Sequence, residues 1–347
     1  MCGIAGIITP NARNYTDEIR KMTSAIAHRG PDGEHFEFYE STALGHRRLS
    51  IIDLSENGTQ PMFSNSKNEC IVLNGEIYGY QDLKKKYSDY PYKGSSDTEV
   101  ILAMYQKIGQ NLIHELPGMF AFAIWDEEKK ELFCGRDRFG EKPFYYAIGN
   151  NGEFIFASEI KAILASELIT SEINFDALSH YLQYGYVSAY QSIYKNIQTL
   201  PSAHQLLYKD GKIEVKRYYS IPKNDNNISL SEAKEEFTTL LKNSVRKQLV
   251  ADVEVGSFLS GGLDSSSIVA MASEFTQKQT SISYGYFGEH SELKFAEEIA
   301  QKYNTRHIEI KENRGEIAQD LQKISKFFDE PFADMSYTPQ YKICEAA

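Results

Sequence analysis

Ser260-Gly261-Gly262-Leu263-Asp264-Ser265-Ser266 stands between an apolar stretch at 255–259, which reads as a strand, and a helical pattern at 266–275. The position matters as much as the letters. Two glycines let the backbone approach an anion closely, while the serine hydroxyls and the first N–H groups of the following helix supply donors. A Walker-type loop would end in Gly-Lys followed by Ser or Thr, and no such lysine is present. A Gly-Gly turn with a serine cap is the plainer alternative, but the strand-to-helix setting favours an anion loop. Around it, helical patterns at 231–250, 292–303 and 316–328 alternate with strand patterns at 281–287 and 306–310. Such alternation predicts a parallel sheet of crossover units.

Upstream the texture changes. The stretch 219–230 contains Pro222-Lys223-Asn224-Asp225-Asn226-Asn227, with almost nothing to bury, and reads as a linker. The expected division is therefore 1–218, a linker at 219–230, and 231–347. The first part shows short apolar runs at 70–73, 119–125, 131–134, 143–148 and 154–157, separated by Gly, Asn and Asp turns. Helices are set apart from them. A helix at 16–28 places Ile19, Met22 and Ile26 on one face and stops at Gly30-Pro31, and Ser96-Asp97-Thr98-Glu99 reads as a capping box opening an apolar helix to Ile108. Runs of strands with segregated helices predict an α+β layered domain.

With 347 residues, 41% hydrophobic and 24% charged, the chain has the make-up of a globular protein of roughly two domains. No apolar run is long enough to span a bilayer, and no basic stretch followed by an apolar run marks a signal peptide, so no membrane association and a cytoplasmic location are expected. A net charge of -11 argues against a nucleic-acid footprint. Cys2, Cys70, Cys134 and Cys344 lie far apart without CxxC or Cys/His spacing, so structural disulfides and zinc are not expected. The 23 Tyr and 19 Phe are read as packing.

The N-terminus, Met1-Cys2-Gly3-Ile4-Ala5-Gly6, carries the chemistry. Removing Met1 would leave a cysteine with both a thiol and an α-amine, whose pKa of about 7.7–8.0 lets it act as a base near neutral pH. Nucleophile and base then sit on one residue. If Met1 persists, Cys2 is an ordinary thiol whose early position is incidental.

The Ser260 to Ser266 string resembles the pyrophosphate loop of ATP pyrophosphatases, which cleave ATP to AMP and pyrophosphate. By that resemblance Ser260, Gly261, Gly262, Asp264 and Ser265 hold pyrophosphate, and Asp264 also helps place Mg²⁺, whose preferred oxygen ligands include the phosphates. Leu259 and Tyr284 fall at nucleotide-contacting positions; Tyr284 either stacks on adenine or packs against the sheet. The whole chain resembles glutamine-dependent asparagine synthetase through several ordered strings. They are Met1 to Gly6, His28-Arg29-Gly30-Pro31-Asp32, Gly45-His46-Arg47-Arg48-Leu49-Ser50-Ile51-Ile52-Asp53 and Asn74-Gly75-Glu76-Ile77-Tyr78, followed by Gly94-Ser95-Ser96-Asp97-Thr98-Glu99, Gly135-Arg136-Asp137-Arg138-Phe139-Gly140 and Ala157-Ser158-Glu159-Ile160-Lys161. The resemblance implies an αββα N-terminal-nucleophile hydrolase sandwich followed by an α/β parallel-sheet ATP-pyrophosphatase domain, incomplete at its C-terminus.

It also implies roles. Amide hydrolysis needs a nucleophile, a base, oxyanion donors and recognition of the substrate's charged end. Cys2 supplies the first two. The Asn74 side chain and the Gly75 N–H match the family's oxyanion hole, although Asn-Gly elsewhere is a hairpin turn. Arg48 matches the α-carboxylate contact, with the backbone of Leu49, Ser50, Ile51 and Ile52 lining the site. Glu76 and Asp97 match the pair that meets the α-ammonium, and Asp97 also favours its helix dipole. Arg47 is expected to be solvated or salt-bridged. The implied reaction passes ammonia from glutamine to an aspartyl-AMP formed from ATP, through a water-poor tunnel. Glutamine, aspartate and ATP are the expected partners, with Mg²⁺ as cofactor and no haem or flavin; family members are commonly homodimers. Because the chain stops at Cys344-Glu345-Ala346-Ala347, before the family's second glycine- and acid-rich loop, an intact glutaminase beside an incomplete synthetase site is expected. Asp329-Glu330-Pro331-Phe332-Ala333-Asp334 resembles a branch that also amidates other carboxylates, such as sugar acids, which leaves the acceptor open. A non-catalytic glutamine or nucleotide sensor is the alternative from another class.

Overall fold

The computed structural model describes residues 1–223, 228–285, 292–311, 317–334 and 336–347. The middle of the expected linker, the end of the strand pattern at 281–287 and the first residue of the helix pattern at 316–328 lie outside the described residues. The chain forms two compact units, Met1–Pro222 with Asp329–Phe332, and Lys223–Phe328 with Ala333–Ala347.

The first unit carries strands β1 (Gly3–Ile8), β2 (Gly33–Phe38), β3 (Thr42–Arg48), β4 (Met62–Phe63), β5 (Glu69–Glu76) and β6 (Met119–Asp126). They are followed by β7 (Glu131–Arg136), β8 (Tyr145–Ile148), β9 (Phe154–Ala157), β10 (Ile197–Thr199), β11 (His204–Lys209) and β12 (Lys212–Arg217). Its helices are α1 (Thr16–Ala25), α2 (Tyr80–Lys86), α3 (Asp97–Ile108), α4 (Ile160–Ala165) and α5 (Phe175–Tyr184). Two antiparallel sheets result, ordered β10-β8-β9-β1-β3-β2 and β12-β11-β7-β6-β5-β4.

Strand alternation sorts the side chains into layers. On β1, Ile4 and Ile8 face the layer between the sheets, while Ala5 and Ile7 face the helices; on β6, Ala121, Ala123 and Trp125 take the inter-sheet side. Ile19, Met22 and Ile26 of the first helical segment close over the outer face of the first sheet together with Ile160 and Ile163 of α4. Helix α3 covers β5 on the second sheet and stacks Tyr105 on Phe133 with ring centroids 6.1 Å apart. The expected αββα sandwich is the observed fold.

Strand β1 is buried along its whole length, and its small residues make that burial possible. A Cβ on Gly6 would lie 2.2 Å from the Phe156 ring, so glycine alone lets that ring fill the inter-sheet layer. Two local expectations are corrected. The helix expected at 16–28 ends at Ala25, and a separate 3-10 turn, Ala27–Arg29, presents His28 and Arg29. At the start of α3, Ser96 caps by accepting from the Thr98 N–H, but Glu99 accepts from the Lys93 and Gly94 N–H groups, so there is no reciprocal capping box.

The second unit contains α6 (Leu230–Gln248), β13 (Gly256–Phe258), α7 (Leu263–Ala272), β14 (Thr280–Gly285), α8 (Leu293–Lys302), β15 (Arg306–Lys311), α9 (Ile317–Ile324) and α10 (Tyr337–Ala346). Helix α6 opens on a full capping box between Ser229 and Glu232. The strands pair in parallel in the order β13-β14-β15, as the alternating pattern predicts. No helix among the described residues is long and apolar enough to cross a membrane.

Phe156 is fully buried and stacks on Phe144 at 5.4 Å. Phe156→Ala is expected to destabilise the first unit by about 3–5 kcal/mol, read as a lowered urea midpoint with the slope unchanged.

Candidate active site

The even-numbered residues that point between the sheets bring the site together. Cys2 precedes β1 in the same parity as Ile4, Arg48 ends β3 in the parity of Leu44, and Asn74 follows Cys70 and Val72 along β5. Alternation thus delivers a thiol, a guanidinium and an amide to one end of the inter-sheet layer. There a pocket of about 520 Å³, its mouth included, is lined by Cys2, Arg48, Leu49, Ile51, Ile52, Asn74, Gly75, Glu76 and Asp97. Every glutaminase residue expected from the sequence lines it except Ser50, whose backbone N–H donates to Asp32 at 2.7 Å. Met1, Gln60, Met119 and Lys142 are also among its walls.

The Cys2 Sγ lies 3.4 Å from the Leu49 N–H nitrogen, which donates to it. Burial raises the thiol's pKa, and the Leu49 bond works against that rise. The α-amine of Met1 is shifted the opposite way, lowered by burial. The Cys2 carbonyl oxygen accepts from Arg29 Nε at 3.0 Å. One orientation of the Asn74 amide satisfies both its neighbours: its nitrogen donates to the same Cys2 carbonyl at 3.0 Å and its oxygen accepts from Arg29 Nη2 at 3.2 Å. A primary amide nitrogen has a second N–H, which remains for a substrate oxygen.

Gly75 cannot be replaced without distortion. Its φ is +153°, and a Cβ would lie 2.1 Å from the Met119 carbonyl oxygen. Arg48 is aimed by the turn that follows it, donating to the carbonyls of Ser55, at 3.0 Å, and Asp53. Those bonds leave further guanidinium N–H groups for an anion. Arg47 points elsewhere, pairing with Glu34 at 2.7 Å, as expected for a salt-bridged side chain.

Asp97 begins α3 and accepts from the Ile77 N–H at 2.9 Å. Burial pushes its carboxyl up to about 6, the Ile77 bond opposes this, and Glu76 adds repulsion. Burial also raises Glu76, with Lys142 pulling it back. Lys142 is buried and its Nζ lies 2.7 Å from Met1 Sδ. It is fixed by Asp137, whose carboxylate accepts from the N–H groups of Phe120, Phe139, Glu141 and Lys142. Arg29 and Lys142 were not singled out from the sequence as site residues. Arg29 lies in a string used for the resemblance, and Lys142 lies two residues past another.

In the second unit, Gly262 caps α7, so the helix begins at Leu263, earlier than the pattern at 266–275 indicated. Gly261 has φ +83°, and a Cβ there would sit 2.7 Å from the Ala296 nitrogen. Ser260 Oγ and Ser265 Oγ are 3.0 Å apart, and the Gly262 N–H donates to Ser260 Oγ at 3.2 Å. Ser260, Gly262 and Asp264 are exposed, Leu259 is buried, and Tyr284 is half-buried on β14. Among the described residues no group of three His, Cys, Asp or Glu side chains could by itself hold a metal ion. A magnesium ion beside Asp264 would therefore take most of its ligands from phosphate oxygens and water.

A glutamine amidotransferase domain family matches residues 1–219 and an asparagine synthase family matches residues 236–347. A Methanocaldococcus jannaschii protein, provisionally named glutamine-hydrolyzing asparagine synthetase 2, is 40% identical over 100% of this chain and 72% of its own length. Glutamine-hydrolyzing asparagine synthetase 1 of Bacillus subtilis is 35% identical over 100% of this chain and 56% of its own length. Asparagine synthetase B of Escherichia coli is 32% identical, covering 89% of this chain and 54% of its own. The chain thus spans little more than half the length of the last two. Among solved structures, the glutamine phosphoribosylpyrophosphate amidotransferase of B. subtilis, complexed with ADP and GMP, aligns at 16% identity and a TM-score of 0.48, covering 92% of this chain and 70% of that one. The match at 40% identity over the whole of this chain and 72% of the relative, with the two family matches, establishes that the chain belongs to the glutamine-hydrolysing asparagine synthetase family.

Proposed function

We propose that the pocket of the first unit hydrolyses glutamine and that the ammonia serves ATP-dependent amidation of a carboxylate, with aspartate as the acceptor suggested by the names of the relatives. The observation that carries the reading is the convergence of Cys2, Arg48, Asn74, Gly75, Glu76 and Asp97 on one pocket. After removal of Met1, the Cys2 thiol transfers its proton to its own α-amine and attacks the side-chain carbonyl carbon of glutamine. The oxyanion is met by the Asn74 amide and the Gly75 N–H. The C–N bond breaks, the amine returns its proton to the departing ammonia, and water hydrolyses the thioester to glutamate. Arg48 holds the α-carboxylate, and Glu76 with Asp97 offset the α-ammonium.

The same reading assigns 1–218 to the glutaminase and 231–347 to the synthetase part, joined by 219–230. The donors of Ser260, Gly261, Gly262 and Ser265 suit pyrophosphate at a helix N-terminus, and Asp264 suits a shared Mg²⁺. Leu259 and Tyr284 flank the nucleotide in this reading. The fully buried Cys70 and Cys134 are free thiols, which fits a reducing, cytosolic setting.

Glutamate release by the Met1-processed protein, with processing read by mass spectrometry, tests the proposal. Cys2→Ala is expected to lower it by about 10³-fold or more; equal activity in the variant would remove the thiol from the chemistry. Gly75→Ala is expected to cost about 100-fold in kcat, because the new Cβ displaces the backbone that carries the oxyanion donor. The pH profile follows from Asp97. Below about 6 its carboxyl is protonated in the free protein and offers the ammonium no charge; above that value it is an anion. KM for glutamine is therefore expected to fall as pH rises through about 6. Asp97→Asn is expected to flatten this profile and raise KM by about tenfold or more. Release of AMP in the presence of glutamine, compared across aspartate and sugar acids, identifies the acceptor.

A further inference from the structure

Glu159, the residue that enters α4, gathers two cationic side chains and a histidine although it lines no part of the pocket. Its Oε1 accepts from Arg29 Nη1 at 2.8 Å and meets His28 Nε2 at 3.0 Å, and its Oε2 pairs with Lys161 Nζ at 3.1 Å. Burial alone would raise this carboxyl, but the bonds from His28 and Arg29 outweigh burial and hold it at about 2. The preceding residue ties the same corner to β1: Ser158 Oγ accepts from the Ile4 N–H at 3.0 Å, and the Ser158 N–H donates to the Ile4 carbonyl at 2.9 Å.

The chain of contacts continues in both directions. Inward, Arg29 spends Nε on the Cys2 carbonyl and Nη2 on the Asn74 amide oxygen. Outward, Lys161 pairs with Asp329 Oδ1 at 3.3 Å, and its backbone N–H donates to Asp329 Oδ2 at 2.9 Å. Glu330 accepts from the Ile193 N–H at 2.7 Å. Asp329–Phe332 thus packs within the first unit although about 100 residues of the second unit separate it from Pro222 in sequence.

We propose that Glu159 is a positioning residue of the glutaminase centre, holding Arg29 against the Cys2 carbonyl and Asn74, and that Asp329 sets Glu159 through Lys161. Arg29 alone could rotate about its long side chain; anchored on Glu159, its fork presents Nε and Nη2 in one geometry. That geometry fixes both the backbone that bears the nucleophile and the amide of the oxyanion hole. A displacement of about 1 Å at such a centre costs on the order of 100-fold in rate. The inference rests on the glutaminase reading of the pocket.

Steady-state glutamine hydrolysis by the full, Met1-processed chain tests it. Glu159→Gln is expected to lower kcat about tenfold or more while KM stays within about twofold, because substrate-holding groups are untouched. Asp329→Asn is expected to act in the same direction with a smaller loss. In an Arg29→Ala background, Glu159→Gln is expected to add less than about twofold, since its effect runs through Arg29. Unchanged kcat in both single variants, or losses that multiply in the double variant, would overturn the inference. If Glu159→Gln lacks a cooperative thermal transition, Asp329→Asn, alone and with Arg29→Ala, decides by the same criteria. Absence of hydrolysis by the parent chain overturns the glutaminase reading itself, whereas hydrolysis that is indifferent to these substitutions overturns only the positioning role.

Discussion

The carbonyl oxygen of Cys2 accepts two hydrogen bonds, from Arg29 and from Asn74, and through them three segments distant in sequence are held at one point. A residue at the very start of a chain would ordinarily fray, since nothing upstream restrains it. Here the constraint is met from every side. β1 follows at once, paired on β3 and β9 in the middle of its sheet. Arg29 grips the carbonyl, and the Leu49 N–H reaches the thiol. On the proposed mechanism Cys2 carries its own base and has to be terminal and rigid together, which the central strand that begins beside it provides.

That requirement explains the composition of β1. A central strand buried on both faces admits little side-chain volume where a helix layer and a second sheet both press on it, and Gly3, Ala5 and Gly6 supply the room. The volume left out of β1 is filled from within the same sheet, by the rings of Phe154 and Phe156 on the neighbouring strand β9 and of Phe144 just before β8. Placement of the nucleophile and packing of the core are therefore one problem with one solution.

Much of this was legible in the sequence, and what was not has a physical cause. Short apolar runs bounded by turn residues marked β6 and β7, and the βα rhythm of the second unit was equally plain. β1 left no such mark, since its Gly3 and Gly6 read as turn residues rather than as part of a strand. The residues expected to contact glutamine were named by resemblance to ordered strings, and all but Ser50 line the pocket. Arg29, Lys142 and Glu159 were passed over because their importance lies in whom they meet. Nothing in the spacing of 29, 74 and 159 says that these side chains touch. Asp329 is the extreme case: the short run Asp329–Phe332 is flanked on both sides by residues of the second unit, and folded contacts such as those with Lys161 place it in the first.

The charges of the pocket show why it suits a zwitterion. Glu76, half-buried, and Asp97, buried, are two carboxyls whose pKa values rise in the free protein, so their ionised forms are held at a disadvantage. Lys142 and Arg48 supply buried cations at the same pocket. An isolated anion would meet Glu76 and Asp97 unfavourably, and an isolated cation would meet Lys142 and Arg48. A molecule that brings an ammonium to the carboxylates and a carboxylate to the guanidinium relieves both at once. It also pulls the Asp97 carboxyl back toward its ordinary range by stabilising the anion. The proposed selectivity for an α-amino acid would rest on these charges of both signs, held apart on β3, on β5 and at the start of α3, each satisfied by a ligand that carries the opposite pair.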